Sequence, residues 1–205
     1  NLVFKDDGPK LVVGAKEIKV VNEDDIDSSW SHGTSHHGQG TADPEDDGDN
    51  SYTKNGAAFT SGSLAGLVDG GADTPVTFEF KPDMVAFFTQ LGLHSKETAG
   101  GDGLKLTYAT STSGDWVSFT ATEPDSPGTP LRDTSNPVFE LRLNTKTGEY
   151  EFRLFDELVH KTGDDENFEL RLPHGQTIDS LPFGDWIIAK DGDGDWVALG
   201  ASFQI

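Results

Sequence analysis

Apolar side chains recur at every second position in short blocks along most of this chain: Val76-Phe78-Phe80, Leu104-Leu106-Tyr108, Phe139-Leu141-Leu143, Tyr150-Phe152-Leu154 and Phe168-Leu170-Leu172. Glycine, proline, aspartate and asparagine separate the blocks. A two-residue period is that of a half-buried strand, with one face toward a core and the other toward water. Trp116-Val117-Phe119, Ile187-Ile188 and Val197-Leu199 add further inward positions. The clearest hairpin joins residues 138–143 to 149–155 through Asn144-Thr145-Lys146-Thr147-Gly148. An opening strand is expected over 11–21, feeding the acidic turn Asn22-Glu23-Asp24-Asp25-Ile26-Asp27. Only residues 82–92 read as a short helix, with Pro82 near the start and Gly92 at the end. The pattern predicts an all-β protein, a β-sandwich of about ten strands with long loops and at most one short helix.

Residues 28–56 interrupt the pattern. Serine, histidine, glycine, aspartate and asparagine dominate there, and Trp30 and Tyr52 are the only large apolar groups, so the segment reads as a long loop. Loops of this length inside a compact domain are usually functional or disordered, and this one has acid clusters that a metal can pin. At 205 residues the chain is read as a single domain over 1–205, long enough to bury a proper core.

Charge changes the picture most. With 36 acidic and 15 basic residues the net charge is −21, which excludes the basic footprint of a nucleic-acid binder and opposes docking on anionic lipid. No cysteine is present, so loops cannot be stapled by disulfides and thiolate metal sites are excluded. No apolar run approaches a membrane span, and no signal precedes residue 30. The chain opens on Asn1 and reads as a segment of a longer protein.

Aspartates outnumber glutamates two to one and gather in glycine-rich turns. Calcium is a hard cation taking six to eight oxygens at roughly 2.3–2.6 Å, and Asp-Gly alternation lets one tight loop aim several of them at one point. Asp191-Gly192-Asp193-Gly194-Asp195 is the densest case. It fails as an EF-hand, since loop positions 6 and 12 hold Trp196 and Ser202 where glycine and glutamate are needed. A calcium-binding turn between the strands 187–190 and 196–203 fits better. Glu23, Asp24 and Asp25, and Asp69 and Asp73 in Asp69-Gly70-Gly71-Ala72-Asp73, are further candidate ligands, expected to gather with the Asp191 loop at one pole. Adaptation to high salt would spread acids over strand faces, whereas these concentrate in turns.

Gly100-Gly101-Asp102-Gly103 differs in kind. Three glycines around one aspartate let an external group approach the backbone closely, so a cation on Asp102 can keep positions open for a ligand. His32, His36 and His37 have zinc-like spacing, but the surrounding glycine and serine make the required helix improbable. His160 reads as a hydrogen-bonded packing residue. No nucleophile elbow, phosphate-binding glycine loop or His-Glu-x-x-His helix occurs, and no carboxylate pair stands in a context that raises a pKa; an enzyme is not expected.

The run Val138–Leu154, continuing to Leu158, His160 and Glu166-Asn167, resembles the repeat-type β-sandwich domains of giant type-I-secreted bacterial RTX adhesins. Asn22-Glu23-Asp24-Asp25 resembles their acidic opening, and Gly62-Ser63-Leu64 through Asp73 their next strand and turn. The resemblance implies a bacterial cell-surface protein that folds when it meets several calcium ions outside the cell, and a domain that is either a spacer or a ligand-binding head. The 28–56 loop and the Gly100–Gly103 insertion depart from a plain repeat, and the whole is most similar to the calcium-dependent peptide-binding domains, in which calcium helps hold a ligand's carboxylate. No residue-level match covers that ligand site; its assignment to Gly100–Gly103 follows from the glycines alone. The expectation is thus a monomeric adhesion module, part of a longer chain, for a peptide or protein on a host or neighbouring cell. A passive extender and a calcium-dependent glycan binder using Trp30, Trp116, Trp186 and Trp196 are the alternatives.

Overall fold

The computed structural model describes residues 8–26, 52–95, 104–124, 137–160 and 169–205. It is all-β with a single α-helix among the described residues, and its strands fall into one six-stranded sheet, one three-stranded sheet and four two-stranded pairs. Strands β1 (Tyr52–Lys54) and β2 (Ala57–Ser63) form a hairpin; β3 (Thr77–Phe80) precedes α1 (Met84–Leu91). Next come β4 (Thr107–Ser113), β5 (Trp116–Thr122), β6 (Pro137–Asn144) and β7 (Glu149–Leu154), and last β8 (Ile187–Lys190) and β9 (Trp196–Ala198). The six-stranded sheet has the order β1-β2-β7-β6-β5-β4, antiparallel throughout, and the three-stranded sheet the order β9-β8-β3.

Alternation decides which face of the large sheet is dry. Phe119, Leu141, Phe152 and Thr60 lie opposite one another across four strands, as do Ala121, Phe139, Leu154 and Ala58, and all eight are buried. The intervening positions carry a charge lattice instead: Arg142 reaches Glu151 at 3.2 Å, and Arg153 reaches Glu151 at 2.9 Å and Glu140 at 3.7 Å. Half-exposed pairs of this kind add about 0.2–1 kcal/mol each, so they fix register more than they stabilise. Phe183 sits over the dry face, with ring centroids 5.4 Å from Phe88, 5.9 Å from Phe152 and 6.0 Å from Phe139. Burying each such ring contributes about 1.5–3 kcal/mol, and this aromatic cluster is the centre of the core.

The 138–155 hairpin forms with Phe139 opposite Leu154 and Leu143 opposite Tyr150. The expected helix forms too, its C-cap Gly92 left-handed and donating to the Phe88 carbonyl at 3.2 Å. Two expectations are corrected. The opening strand over 11–21 is instead two short pieces, Lys10–Leu11 antiparallel to Val68–Asp69 and Glu17–Ile18 parallel to Phe203–Gln204. One straight strand cannot serve both partners, and the chain turns between them at Gly14, at φ +80, leaving Val13 fully exposed. The 28–56 loop also ends early: residues 52–56 belong to the β1–β2 hairpin, turned by Asn55 and Gly56, both at positive φ. The rest of that loop, with Trp30, His32, His36 and His37, lies outside the described residues.

A second, smaller ribbon completes the fold. His94–Ser95 pairs with Leu104–Lys105, and Leu170–Arg171 with Thr177–Ile178. The bridges Ser95–Leu158 and His160–Leu170 join these two pairs through residues 158–160. No helix among the described residues is long and apolar enough to cross a membrane.

Candidate metal centre

The Asp191–Asp195 loop closes the β8–β9 hairpin, with Lys190 opposite Trp196 at its base. Asp191 N–H donates to the Asp195 carbonyl at 3.0 Å, and Gly194 N–H donates to Asp191 Oδ1 at 3.0 Å. Gly194 has φ +106, a conformation that a side chain at this position would strain. The folded loop brings Asp191, Asp193 and Asp195 together, one oxygen of each lying within 4.8 Å of the others.

Asp191 is the informative member. Only 6 % of it is exposed, and its Oδ2 is buried and accepts no hydrogen bond from the described residues. A buried carboxylate oxygen without a partner costs free energy unless a cation or donor meets it, and two further carboxylates at this range add repulsion. A divalent hard cation removes both costs at once. Three carboxylates without nitrogen or sulfur are the donor set of a hard cation, calcium among them, rather than of zinc.

The other expected ligands are placed differently. Asp69 Oδ1 accepts from Gly71 N–H at 3.0 Å, bracing its own turn. Asp73 does reach the Asp191 loop, but with its backbone: its carbonyl accepts Gly192 N–H at 2.8 Å. Neither carboxylate joins the cluster found among the described residues. Glu23, Asp24 and Asp25 form a single 3-10 turn away from that pole. Glu23 Oε1 accepts the Leu158 N–H at 2.8 Å and lies 3.1 Å from His160 Nε2, and the Asp25 carbonyl accepts from Thr53 Oγ1 at 2.6 Å. Residues 158–160 follow the C-terminal end of β7, whereas the Asp191 loop adjoins β3, which bonds through Phe78 N–H to Thr145 before β7 begins. The expected gathering of three acidic turns at one pole therefore reduces to two. His160 is the packing residue expected, held by Glu23. Gly100, Gly101, Asp102 and Gly103 lie outside the described residues; the strands on either side, His94–Ser95 and Leu104–Lys105, are paired.

Sequence reading did not single out Gly8, although a Cβ there would lie 3.0 Å from Asp195 Oδ2, so the chain before the first strand passes directly against the acid loop. Nor did it find that Trp186 and Trp196 both face Lys81, whose Nζ lies 5.7 Å from each ring, while Trp116 lies on the large sheet. Trp196 is 58 % exposed beside the loop, Trp186 is stacked on Phe87 at 4.6 Å, and Trp116 lies under Arg142 at 5.0 Å. Elsewhere, burial pushes the Tyr108 and Tyr150 phenols up, and the Glu17 carboxylate that accepts from Tyr150 at 2.8 Å reinforces the second shift.

No protein-family model matches the chain, and neither does any curated protein or solved structure.

Proposed function

We propose that this chain is a non-enzymatic, calcium-dependent adhesion module of a bacterial RTX-type surface protein, which folds as a β-sandwich outside the cell and binds an external peptide or protein. The observation that carries the reading is the clustering of the Asp191, Asp193 and Asp195 carboxylates within 4.8 Å, together with a buried, unpartnered oxygen on Asp191. Calcium held there would tie the β8–β9 hairpin to its neighbours, because the loop already bonds the Asp73 turn and abuts Gly8. The ion's contribution is electrostatic: it neutralises clustered acids and fixes a turn. Further ions on Glu23, Asp24, Asp25 or Asp102 belong to the same proposal.

A peptide is favoured as ligand by β4. Its seven residues, Thr107–Ser113, carry no charge in a chain of net charge −21, and they form the edge of the six-stranded sheet with no partner strand among the described residues beyond them. Sheet edges usually carry lysine, proline or a bulge against unwanted pairing, and β4 has none of these. Such an edge accepts an extended peptide through main-chain hydrogen bonds.

Calorimetric titration with calcium and melting with and without EDTA at fixed ionic strength test the metal. An array of peptides and glycans, probed with and without chelator, tests the ligand. A melting temperature indifferent to EDTA overturns the calcium reading, and calcium-dependent binding to neither class leaves a passive extender.

A further inference from the structure

The two edges of the six-stranded sheet are built differently. β1 is three residues long and carries Lys54, whose Nζ lies 3.8 Å from the Phe59 ring centroid. A short edge with a lysine is guarded against a further strand. β4 runs for seven residues, Thr-Tyr-Ala-Thr-Ser-Thr-Ser, and all but Tyr108 are exposed. Tyr108 is half-buried, stacked on Phe119 at 5.5 Å and leaning on Phe88 of α1 at 5.7 Å. The neighbouring β5, Trp116–Thr122, also carries no charge. Two strands' width of the sheet is therefore neutral in a chain of net charge −21. The stretches 96–103 and 125–136, outside the described residues, adjoin the Thr107 and Thr122 end, whereas Ser113 and Trp116 close directly through Gly114-Asp115.

The turn decides which main-chain groups face outward. Gly114 has φ +62 at the first of the two central positions, as a type II′ hairpin requires, so Ser113 and Trp116 are its closing hydrogen-bonded pair. Bonding alternates along an antiparallel pair, so Ser111 and Ala109 also bond inward to β5. Tyr108, Thr110 and Thr112 therefore direct their N–H and carbonyl groups away from it. A second β4, antiparallel about a two-fold axis at Thr110, meets those groups in register. Thr110 falls opposite itself, and Tyr108 falls opposite Thr112 of the second copy, twice. Each pair exchanges two bonds, which satisfies every outward group of both strands. Thr–Thr and aromatic–β-branched pairs are favourable cross-strand neighbours. On the other face Ala109 meets Ser111 and Thr107 meets Ser113, all small. Beyond the strand, the same two-fold directs the exposed Lys105 toward Asp115 of the second copy, an acid half-exposed in its turn beside Lys146 at 2.9 Å.

We propose that β4 pairs with β4 of a second copy of this chain about a two-fold axis at Thr110, joining two six-stranded sheets edge to edge. The inference deepens the peptide-binding reading, on whose open edge it rests, and names the extended segment as this protein's own strand presented by another copy. Three considerations select this occupant. The strand is complementary to itself in the one register that uses all its outward main-chain groups. Copies of a chain with net charge −21 repel one another, and β4 with β5 offers an approach that sets no acid against an acid. The charges nearest the two ends, Lys105 and Asp115, are opposite in sign and meet across the axis. One strand pair is a weak contact between free molecules, and it gains strength when many copies are displayed on facing surfaces.

The experiment follows the calcium-loaded protein by sedimentation velocity over a concentration series reaching about 1 mM. A monomer–dimer equilibrium is expected, and added salt should tighten it by screening the repulsion between copies. Thr110→Lys places two ammonium groups opposite each other on the axis and should weaken the dimer by about tenfold or more. Thr110→Glu should do the same, and mixing the two variants should restore pairing as a heterodimer. Val13→Lys, at a fully exposed turn, should change nothing. The chain has no cysteine, so engineered ones report the register without background. Thr110→Cys should oxidise to a linked dimer, since residues opposite one another as a bonded pair have Cα atoms about 5.5 Å apart, within reach of a disulfide. Thr112→Cys should not, its two copies lying roughly 13 Å apart. A protein that stays monomeric throughout, a dimer that salt dissolves or that ignores Thr110→Lys, or equal linkage at both positions would overturn the pairing. Array peptides that bind a monomeric protein and are lost in Thr110→Lys would overturn the second copy alone and keep β4 as a peptide edge. Dimerisation in register with no array peptide bound would keep the pairing and reject a foreign ligand.

Discussion

Replacing Asp191 by asparagine should reverse its effect on stability according to whether calcium is present. The amide keeps an oxygen to accept the Gly194 N–H, so the loop's own closure survives. Without calcium, the parent holds three carboxylates within 4.8 Å, and Asp191 takes part in two of the three pairs. With two of the three acids exposed, a water-like dielectric puts each pair at about 1 kcal/mol before salt screening, so the substitution should relieve about 1–2 kcal/mol. Burial of the uncompensated charge adds to that relief. With calcium at a hundredfold excess over its dissociation constant, the parent gains about 2.7 kcal/mol from binding. At roughly 2–4 °C per kcal/mol for a chain of this size, calcium should raise the parent melting temperature by about 5–10 °C. The asparagine variant should lose most of that rise. The assay is differential scanning calorimetry of both proteins in EDTA and in excess calcium at equal ionic strength. The variant should melt above the parent in EDTA and below it in calcium. An equal change in both conditions would mean that the Asp191 charge has no bearing on calcium and would refute the reasoning.

Three further outcomes follow from the packing. The folded state keeps the Tyr108 and Tyr150 phenols neutral, while the unfolded chain ionises them above pH about 10, so the unfolded state then binds fewer protons. Stability should be unaffected by these groups below that pH and should fall above it by about 1.4 kcal/mol per pH unit per tyrosine, and denaturation at pH 9–11 (roughly spanning the transition) should show half the slope in Tyr150→Phe. Gly184→Ala should cost at least about 3 kcal/mol by urea denaturation, since its Cβ would overlap the backbone carbonyl oxygens of Gly200 and Phe203, whereas Gly66→Ala, which meets nothing within 4 Å, should be near neutral. Phe183→Ala should cost about 3–5 kcal/mol by the same assay, because four other rings lean on that side chain.

The sequence was most informative where structure is local. Alternation located β6 and β7 and assigned their faces correctly, because a two-residue period needs no knowledge of the partner strand. The acid loop was equally legible, since its three clustered aspartates lie within five residues. Asn55-Gly56 was a signal present and passed over: it is among the strongest two-residue hairpin turns, and it would have shortened the loop assigned to residues 28–56. Other features had no local trace. Glu23 reaches Leu158 and His160, more than 130 residues away, a contact that the acidic triplet gives no sign of in the sequence. The small ribbon likewise brings His94, Val159 and Arg171 side by side from separate segments, and nothing in the spacing of those residues announces it.

The parallel pairing of Glu17–Ile18 with Phe203–Gln204 has a mechanical consequence. Tension drawn along the chain pulls the first strand backward and the second forward, so the two slide against one another along their common axis. Bonds loaded in that sense share the force, unlike the bonds of a hairpin, which open one after another like a zipper. The Lys19 N–H to Gln204 carbonyl bond (3.0 Å) and the Leu181 N–H to Ile205 carbonyl bond (2.7 Å) extend the same clamp. Upstream, the chain must first be stripped from the acid loop at Gly8, so an ion bound there would stand in the path of the force before it reaches the clamp. Resistance to stretching, and its dependence on calcium, would then be set by a few residues around Gly8, Glu17–Lys19 and Phe203–Ile205 rather than by the core.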